Sequence, residues 1–416
     1  MSGNFREVPV EQLVFGMYVA KLDRPWTETP FMFQGFTLKT EQQLNALKKF
    51  CKTVYVDPEK EEPDPQAARA GSGARGNPQE AAAIRAQLAE PIRGTTVYRQ
   101  VSMVEEEMPK AALAYTKSRE IVKILATSVR AGKVLDGPQA TEAAKEISAS
   151  VERNPDAMIL LAKMREKSRE TLDRSVEVSV FMAAFGRYLQ LPKQQLDILG
   201  MTGLLQDVGM LKLPPGLAER RSNLTTAEEE VFRTHISHSV EILSKTTGLP
   251  PELPGIASLH HERYDGTGYP RGLRGSAIAL LGQIAAIVDT FDVLTAPAPY
   301  GAHMSPSAAL NILYQSRGSK FHAGAVDQFI QCLSAFPVGS VVELNSGEIG
   351  VVVAQNMVRR LQPRVLVVQD AKGNPIVPHK LLDLTREPKI SADEVYRIRR
   401  TLEADKIRID PRTLFL

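Results

Sequence analysis

His260-His261-Glu262-Arg263-Tyr264-Asp265-Gly266-Thr267-Gly268-Tyr269-Pro270 is the stretch from which the rest of the chain is best read. Two adjacent imidazoles, the commonest protein ligands for borderline metals, precede an acid and then an ordered turn carrying Asp-Gly and Gly-Tyr-Pro. The helical-looking segment upstream adds His235 and His238, so four of the seven histidines fall between positions 235 and 261. A lone histidine is more often a satisfied core or surface residue than a ligand. Four in so short a span, with acids in reach, point to a present or ancestral metal site.

Outward from that stretch, residues 161–336 show helical periodicity punctuated by Gly and Pro turns, which predicts an all-α central domain. Upstream, 81–160 reads as a helical connector, with apolar residues three and four apart (Ile84, Leu88, Leu113, Ile121, Ile124, Leu125) and breaks at Gly132 and Gly137-Pro138. Residues 58–80 are rich in Pro, Gly, Ala and charge, bury too little apolar surface to fold, and read as a flexible linker. The first 57 residues alternate as short strands do, at Val8, Val10, Leu13 and again over 31–38. A helical spacing over 41–50 and a last strand at Val54-Tyr55-Val56 complete a small α+β domain holding the only tryptophan, Trp26, read as a core or interface plug. Past Phe336-Pro337-Val338-Gly339, β-branched runs over 340–344, 350–354 and 364–368 predict a small β module at 337–385, followed by a polar C-terminal extension at 386–416.

Composition bounds the function classes. A chain of 416 residues suits two or three domains, and 43% hydrophobic with 24% charged residues is an ordinary globular balance. A net charge of +3 without a basic block argues against nucleic acid as a partner; the C-terminal arginines 397, 399 and 400 alternate with acids and read as a solvated face. Two cysteines, Cys51 and Cys332, make no disulfide framework and fit a reducing compartment. No signal pattern opens the chain, and the longest apolar run, 277–288, is interrupted and too short to span a bilayer. A cytoplasmic protein with no membrane partner is expected.

The motif His-His-Glu-x-x-Asp-Gly-x-Gly-Tyr-Pro at 260–270 closely resembles the signature of the HD-GYP family, a branch of the HD superfamily of metal-dependent phosphohydrolases. Asp289-Thr290-Phe291-Asp292-Val293-Leu294-Thr295, and Leu224-Thr225-x-x-Glu228 ahead of His235, are similar to two further stretches of that family, and the likeness covers about residues 160–336. Gly16-Met17-Tyr18-Val19 with Trp26 resembles the small domain that often precedes HD-GYP domains, and the β module resembles the tail of the same subgroup. The resemblance implies an HD-type helical bundle that hydrolyses cyclic di-GMP with water activated by two or three iron- or manganese-like ions. It implies Asp207 as the metal-bridging, catalytic aspartate, His235, His260, His261 and Asp289 as metal ligands, and Glu170 as a ligand for an additional ion. It implies that Tyr264, Asp265, Gly268, Tyr269 and Pro270, with Arg174, line the substrate pocket. The partners it implies are cyclic di-GMP and GGDEF-domain proteins. The helical stripe of about 104–160 suits pairing between two chains as a homodimer or packing within one chain.

Departures from the family pattern fall on the chemistry. Where the family reads H-D-x-G-K, this chain has Gln206-Asp207-Val208-Gly209-Met210; where it reads T-x-x-H-S, Thr171-Leu172-Asp173-Arg174-Ser175; where it reads R-P-Y, Ala298-Pro299-Tyr300. An amide is a poor ligand for a transition metal, an arginine has no lone pair to give, and Met210 and Ala298 offer a phosphate no charge. A bridged metal pair needs about three or four protein ligands per ion, some of them shared. The remaining set suits one iron or manganese ion or none rather than two, with the Arg174 charge where an ion once sat and able to pair with Asp207. The expectation is a cyclic di-GMP signalling protein with impaired hydrolysis. The alternatives are an active phosphodiesterase with a reduced metal set, releasing pGpG or GMP, and a scaffold that binds GGDEF-domain partners.

Overall fold

The structure, a computed structural model, describes residues 5–61 (apart from 25, 27, 28, 30, 32–34, 39, 40, 59 and 60), 91–164, and 171–402 (apart from 215, 219, 221–223 and 297–303). Nearly all of the expected linker at 58–80 therefore lies outside the described residues. The chain divides into two compact units, Met1–Gln87 and Leu88–Leu416.

In the first unit β1 (Arg6–Pro9), β2 (Tyr18–Leu22), β3 (Phe36–Thr37) and β4 (Thr53–Val56) form an antiparallel sheet in the order β1-β4-β2-β3. Alternation of side chains turns Val54 and Val56 inward, where they meet Val8, Val19 and Leu47 of α1 (Glu41–Phe50). Trp26 packs edge-on against Phe31 and Phe36, with ring centres 6.2 and 6.1 Å away, so the lone tryptophan is part of this core.

The second unit opens with α2 (Val104–Arg130) and α3 (Gly137–Arg153). The helix expected from residue 81 is absent between 91 and 103, and 81–90 lie outside the described residues. That segment instead pairs its backbone with residues just past a later helix that ends at Tyr188, Gly94 N–H donating to the Leu189 carbonyl and Thr96 N–H to that of Gln190. Next come α4 (Pro155–Met164), α5 (Thr171–Tyr188), α6 (Lys193–Leu205), α7 (Thr226–Arg233) and α8 (His235–Ser244). They are followed by α9 (Leu253–Ala257), α10 (Leu280–Thr295), α11 (Pro306–Gln315) and α12 (Ala323–Leu333). Local signals set several ends: Asp136 caps α3 by accepting from Gln139 N–H, and Thr225 with Glu228 forms a reciprocal box on α7. α2 lies against α5, and α3 against both α5 and α6, so the stretch expected as a connector is built into the helical body.

An aromatic cluster fixes the helices that matter most for the site. Phe181 of α5 meets Phe291 of α10 at 5.6 Å, Phe185 meets Phe329 of α12 at 5.0 Å, and Phe291 meets Phe329 at 5.4 Å. Arg174 lies two turns before Phe181 on the same side of α5, which aims it at the α10 residues flanking Phe291.

β5 (Val341–Leu344), β6 (Ile349–Ala354), β7 (Arg364–Gln369), β8 (Pro375–Asp383) and β9 (Ile398–Leu402) form an antiparallel sheet in the order β8-β7-β6-β5-β9. The boundary expected at 385/386 falls inside this sheet. β9 pairs with β5, and Tyr396 and Ile398 join the core of Val342, Val352 and Val365, because two inward apolar residues outweigh the charged ones between them. The sheet is tied to the helices through Asp156, which accepts from Gln355 N–H at 3.0 Å, and through the Arg364–Glu105 ion pair. Burial pushes the Asp156 carboxyl up to about 6, against the opposing hydrogen bond from Gln355. Both cysteines are free thiols, and among the described residues no helix is long and apolar enough to cross a membrane.

Candidate metal centre

Asp207 follows the last turn of α6 and opens the short 3-10 turn Val208–Lys212. A Cβ on Gly209 would stand 2.1 Å from the His235 carbonyl oxygen and 2.5 Å from Ser239 N, so only glycine lets this turn press against the start of α8. The Ser239 hydroxyl accepts Gly209 N–H at 2.9 Å and holds the contact. The result is an aspartate carboxylate set beside the first imidazole of α8.

The imidazoles are oriented from behind. His235 Nδ1 lies 2.6 Å from the Phe232 carbonyl and His260 Nδ1 lies 2.6 Å from the Ala257 carbonyl, so each donates from Nδ1 and, as a neutral ring, carries its lone pair on Nε2. Those Nε2 atoms face Asp207 Oδ1, at 3.5 Å from His235 and 3.3 Å from His260. His260 Nε2 has no hydrogen-bond partner among the described residues although the ring is fully buried. Acceptors facing acceptors repel one another unless a proton or a metal cation lies between them. His261 completes the group, and donor atoms of Asp207, His235, His260 and His261 all lie within 4.8 Å of one another. Three imidazoles and a carboxylate are a donor set for zinc, iron or manganese, and the residues present fit a single ion.

The opposite side of Asp207 has a different chemistry. Arg174 donates from Nη1 to Asp207 Oδ2 at 3.0 Å, from Nη2 to Asp289 Oδ1 at 2.5 Å, and from Nε to Asp292. Gln206 Nε2 approaches the same Asp289 oxygen at 3.5 Å. Burial pushes the Asp292 carboxyl up to about 6, opposed first by the Arg174 guanidinium; Glu177 adds to the rise, and Lys163, paired with Glu177 over the Phe181 and Phe291 rings, opposes it. Asp207 is thus shared, one oxygen turned to imidazoles and the other to a guanidinium.

The loop after the paired histidines is held by Glu262. Its buried carboxylate accepts Arg271 N–H at 2.8 Å and Leu273 N–H at 2.9 Å, which makes it the anchor of the turn. Gly268 lies so close to the preceding strand of chain that a Cβ would meet Arg263 N at 2.3 Å. Tyr269 donates its N–H to the His261 carbonyl and stacks on the His261 ring at 4.7 Å; the Tyr269-Pro270 bond is cis. Asp265 is spent inside the turn, accepting from Thr267 N–H and hydroxyl at 3.0 and 2.6 Å. Tyr264 turns to His322 at 5.7 Å, and His322 in turn caps α12 through Ala325 N–H.

The structure brings together Arg174, Gln206, Asp207, His235, His260, His261, Tyr269 and Asp289 of the residues singled out from the sequence. Tyr264 and Asp265 make the local contacts just described, and Met210 packs with Leu213, Leu217 and Phe232 in an apolar cluster. His238 is half-buried and outside the donor cluster. Glu170 and Ala298 lie outside the described residues. Sequence reasoning missed Asp292, whose spacing of three from Asp289 puts both on one face of α10, and the anchoring role of Glu262, which had no sequence signal.

A helical body with an Asp/His cluster beside a Gly-Tyr-Pro turn is the arrangement expected of a protein of the HD type. Residues 156–324 match the HD domain family, 6–144 a domain of unknown function (DUF3391), and 341–400 a KOW domain associated with the HD domain. Over 386 residues the chain is 31% identical to a cyclic di-GMP phosphodiesterase of Pseudomonas aeruginosa, covering 92% of this chain and 89% of that one. It is 32% identical over 221 residues to a cyclic di-GMP phosphodiesterase response regulator of Xanthomonas campestris, covering 49% of this chain and 57% of the other. An HDG"Y"P protein from Bdellovibrio bacteriovorus aligns over 78% of this chain and 98% of its own, with 13% identity and a TM-score of 0.46. The chain belongs to the HD-GYP family.

Proposed function

We propose that this protein is a cyclic di-GMP signalling member of the family in which hydrolysis is impaired and recognition of the nucleotide is retained. The observation that carries the reading is Arg174 seated among Asp207, Asp289 and Asp292. The family pattern places a histidine acceptor at positions 174 and 206. This chain places donors there, and both donate towards Asp289. Carboxylates that would hold a second ion are neutralised from within the chain instead.

Charge counting points the same way. Three carboxylates and one guanidinium leave an excess of two negative charges, which one divalent ion balances and two would overshoot. Asp207, His235, His260 and His261 are the residues that would hold that ion, and when bound it would polarise a phosphodiester oxygen as a Lewis acid. The chain's own residues supply orientation: Glu262 fixes the recognition turn, and Tyr269 packs against a ligand ring. A guanidinium holds phosphate or carboxylate but does not deprotonate water at neutral pH. Met210, in its apolar cluster, brings no cation to the scissile group.

The test is cyclic di-GMP binding and turnover by the anaerobically purified chain with manganese or ferrous iron. Binding with little or no release of pGpG or GMP is expected. Arg174→His with Gln206→His and Met210→Lys should raise both metal content and turnover. Turnover by the unaltered chain at a rate the triple variant does not exceed contradicts the reading, and favours an active phosphodiesterase with a reduced metal set.

A further inference from the structure

Of the arginines at the pocket and its recognition turn (Arg174, Arg233, Arg263, Arg271 and Arg274), two are already committed. Arg174 is enclosed by carboxylates, and Arg263 donates to the His260 and Glu262 carbonyls at 3.1 and 3.0 Å with its plane over the Phe321 ring. Arg233 is placed differently. It is the last residue of α7, two positions before His235, and its guanidinium lies 4.8 Å from the centre of the Tyr269 ring, the ring that stacks on His261. Its ion-pair partner among the described residues is Glu229, one turn back at 2.5 Å, with the two side chains 50% and 52% exposed. A half-exposed pair at this spacing is screened by water and is worth only about a factor of two.

Stacking on an aromatic face fixes the plane of a guanidinium while leaving its edge N–H groups able to fork onto an anion. A cyclic dinucleotide carries two phosphodiester anions. One can be met at the Asp207–His235–His260–His261 cluster, while Met210, buried among apolar side chains, meets neither. We infer that Arg233 is a specificity-determining residue that takes the second phosphodiester of a cyclic dinucleotide, exchanging Glu229 for the phosphate while Tyr269 holds its plane. This rests on the proposed retention of nucleotide recognition.

Calorimetric titration of the full chain with cyclic di-GMP, in saturating manganese, tests it. Arg233→Gln should weaken binding about tenfold, the loss of one charge-assisted contact, and should flatten the decline of affinity with added salt. Glu229→Gln should act in the opposite direction and tighten binding about twofold, because it removes the competitor. Manganese stoichiometry should stay unchanged in both variants. An Arg233→Gln affinity within twofold of the unaltered chain overturns the inference while leaving nucleotide recognition standing. So does a loss in Arg233→Gln that is accompanied by an unchanged salt dependence and no gain in Glu229→Gln, the pattern of a residue that only braces the Tyr269 ring. Absence of cyclic di-GMP binding by the unaltered chain overturns both.

Discussion

The two sides of Asp207 solve one electrostatic problem in different ways. On one side, acceptor atoms of His235, His260 and His261 converge with Asp207 Oδ1, an arrangement that favours an added cation. On the other, Asp289, Asp292 and Asp207 Oδ2 are already met by Arg174, a cation the chain carries itself. The difference teaches that replacing a metal ligand by a donor is not simply a loss. On the proposed reading it exchanges an ion that can leave for a charge that cannot, at the cost of the chemistry that only the ion performs.

The largest expected effect comes from removing the fixed charge. Arg174→Met leaves three carboxylates, two of them buried, facing one another, and in chelator the variant should lose about 3–5 kcal/mol of stability by urea unfolding. A loss below about 1 kcal/mol would mean that the arginine is not the counter-ion of that side. Asp156, a buried carboxylate held mainly by one backbone amide, is the contrast. Its folded value of about 6 lies above the ordinary 3.8, so the folded chain keeps a proton that the unfolded chain releases in between. Stability should therefore fall as pH rises from about 4 to about 6, by up to about 3 kcal/mol. Asp156→Asn should remove that contribution and leave the one from Asp292, and an unchanged pH profile would show that the Asp156 carboxyl is not titrating there.

On the imidazole side, His260→Ala should abolish the stabilisation that a divalent ion confers, about 2.7 kcal/mol at a hundredfold excess over Kd, while the Arg174 side stays intact. A variant still stabilised by manganese to the same extent would move the ion elsewhere. The smallest effect belongs to Gln206→Leu. Its 3.5 Å approach to Asp289 is long for a hydrogen bond, and its loss should cost about 1 kcal/mol or less.

Much of this pocket was legible in the residues themselves. His260 and His261 pointed by their adjacency to the cluster of donor atoms, Gly268 and Pro270 marked the turn, and the departures at 174 and 206 stood out once the family pattern was laid beside them. Pairing of Arg174 with Asp207 was expected once the resemblance had put both at ligand positions. What did not follow was the reach of Arg174 to Asp292, because that depends on the Phe181–Phe291 packing that sets α5 against α10. Glu262 was equally opaque, since nothing in the sequence shows that its oxygens accept the Arg271 and Leu273 N–H groups. In the fold, α2 to α6 followed from apolar spacing. The missing helix over 91–103 and the return of β9 to the β module were set by distant partners, which local periodicity does not contain.

Metal stoichiometry, measured by elemental analysis of the chain reconstituted anaerobically with iron or manganese and freed of excess ion, tests the central claim most directly. One divalent ion per chain, lost in His260→Ala, is the predicted result. Two ions per chain in the presence of an unaltered Arg174 would contradict it.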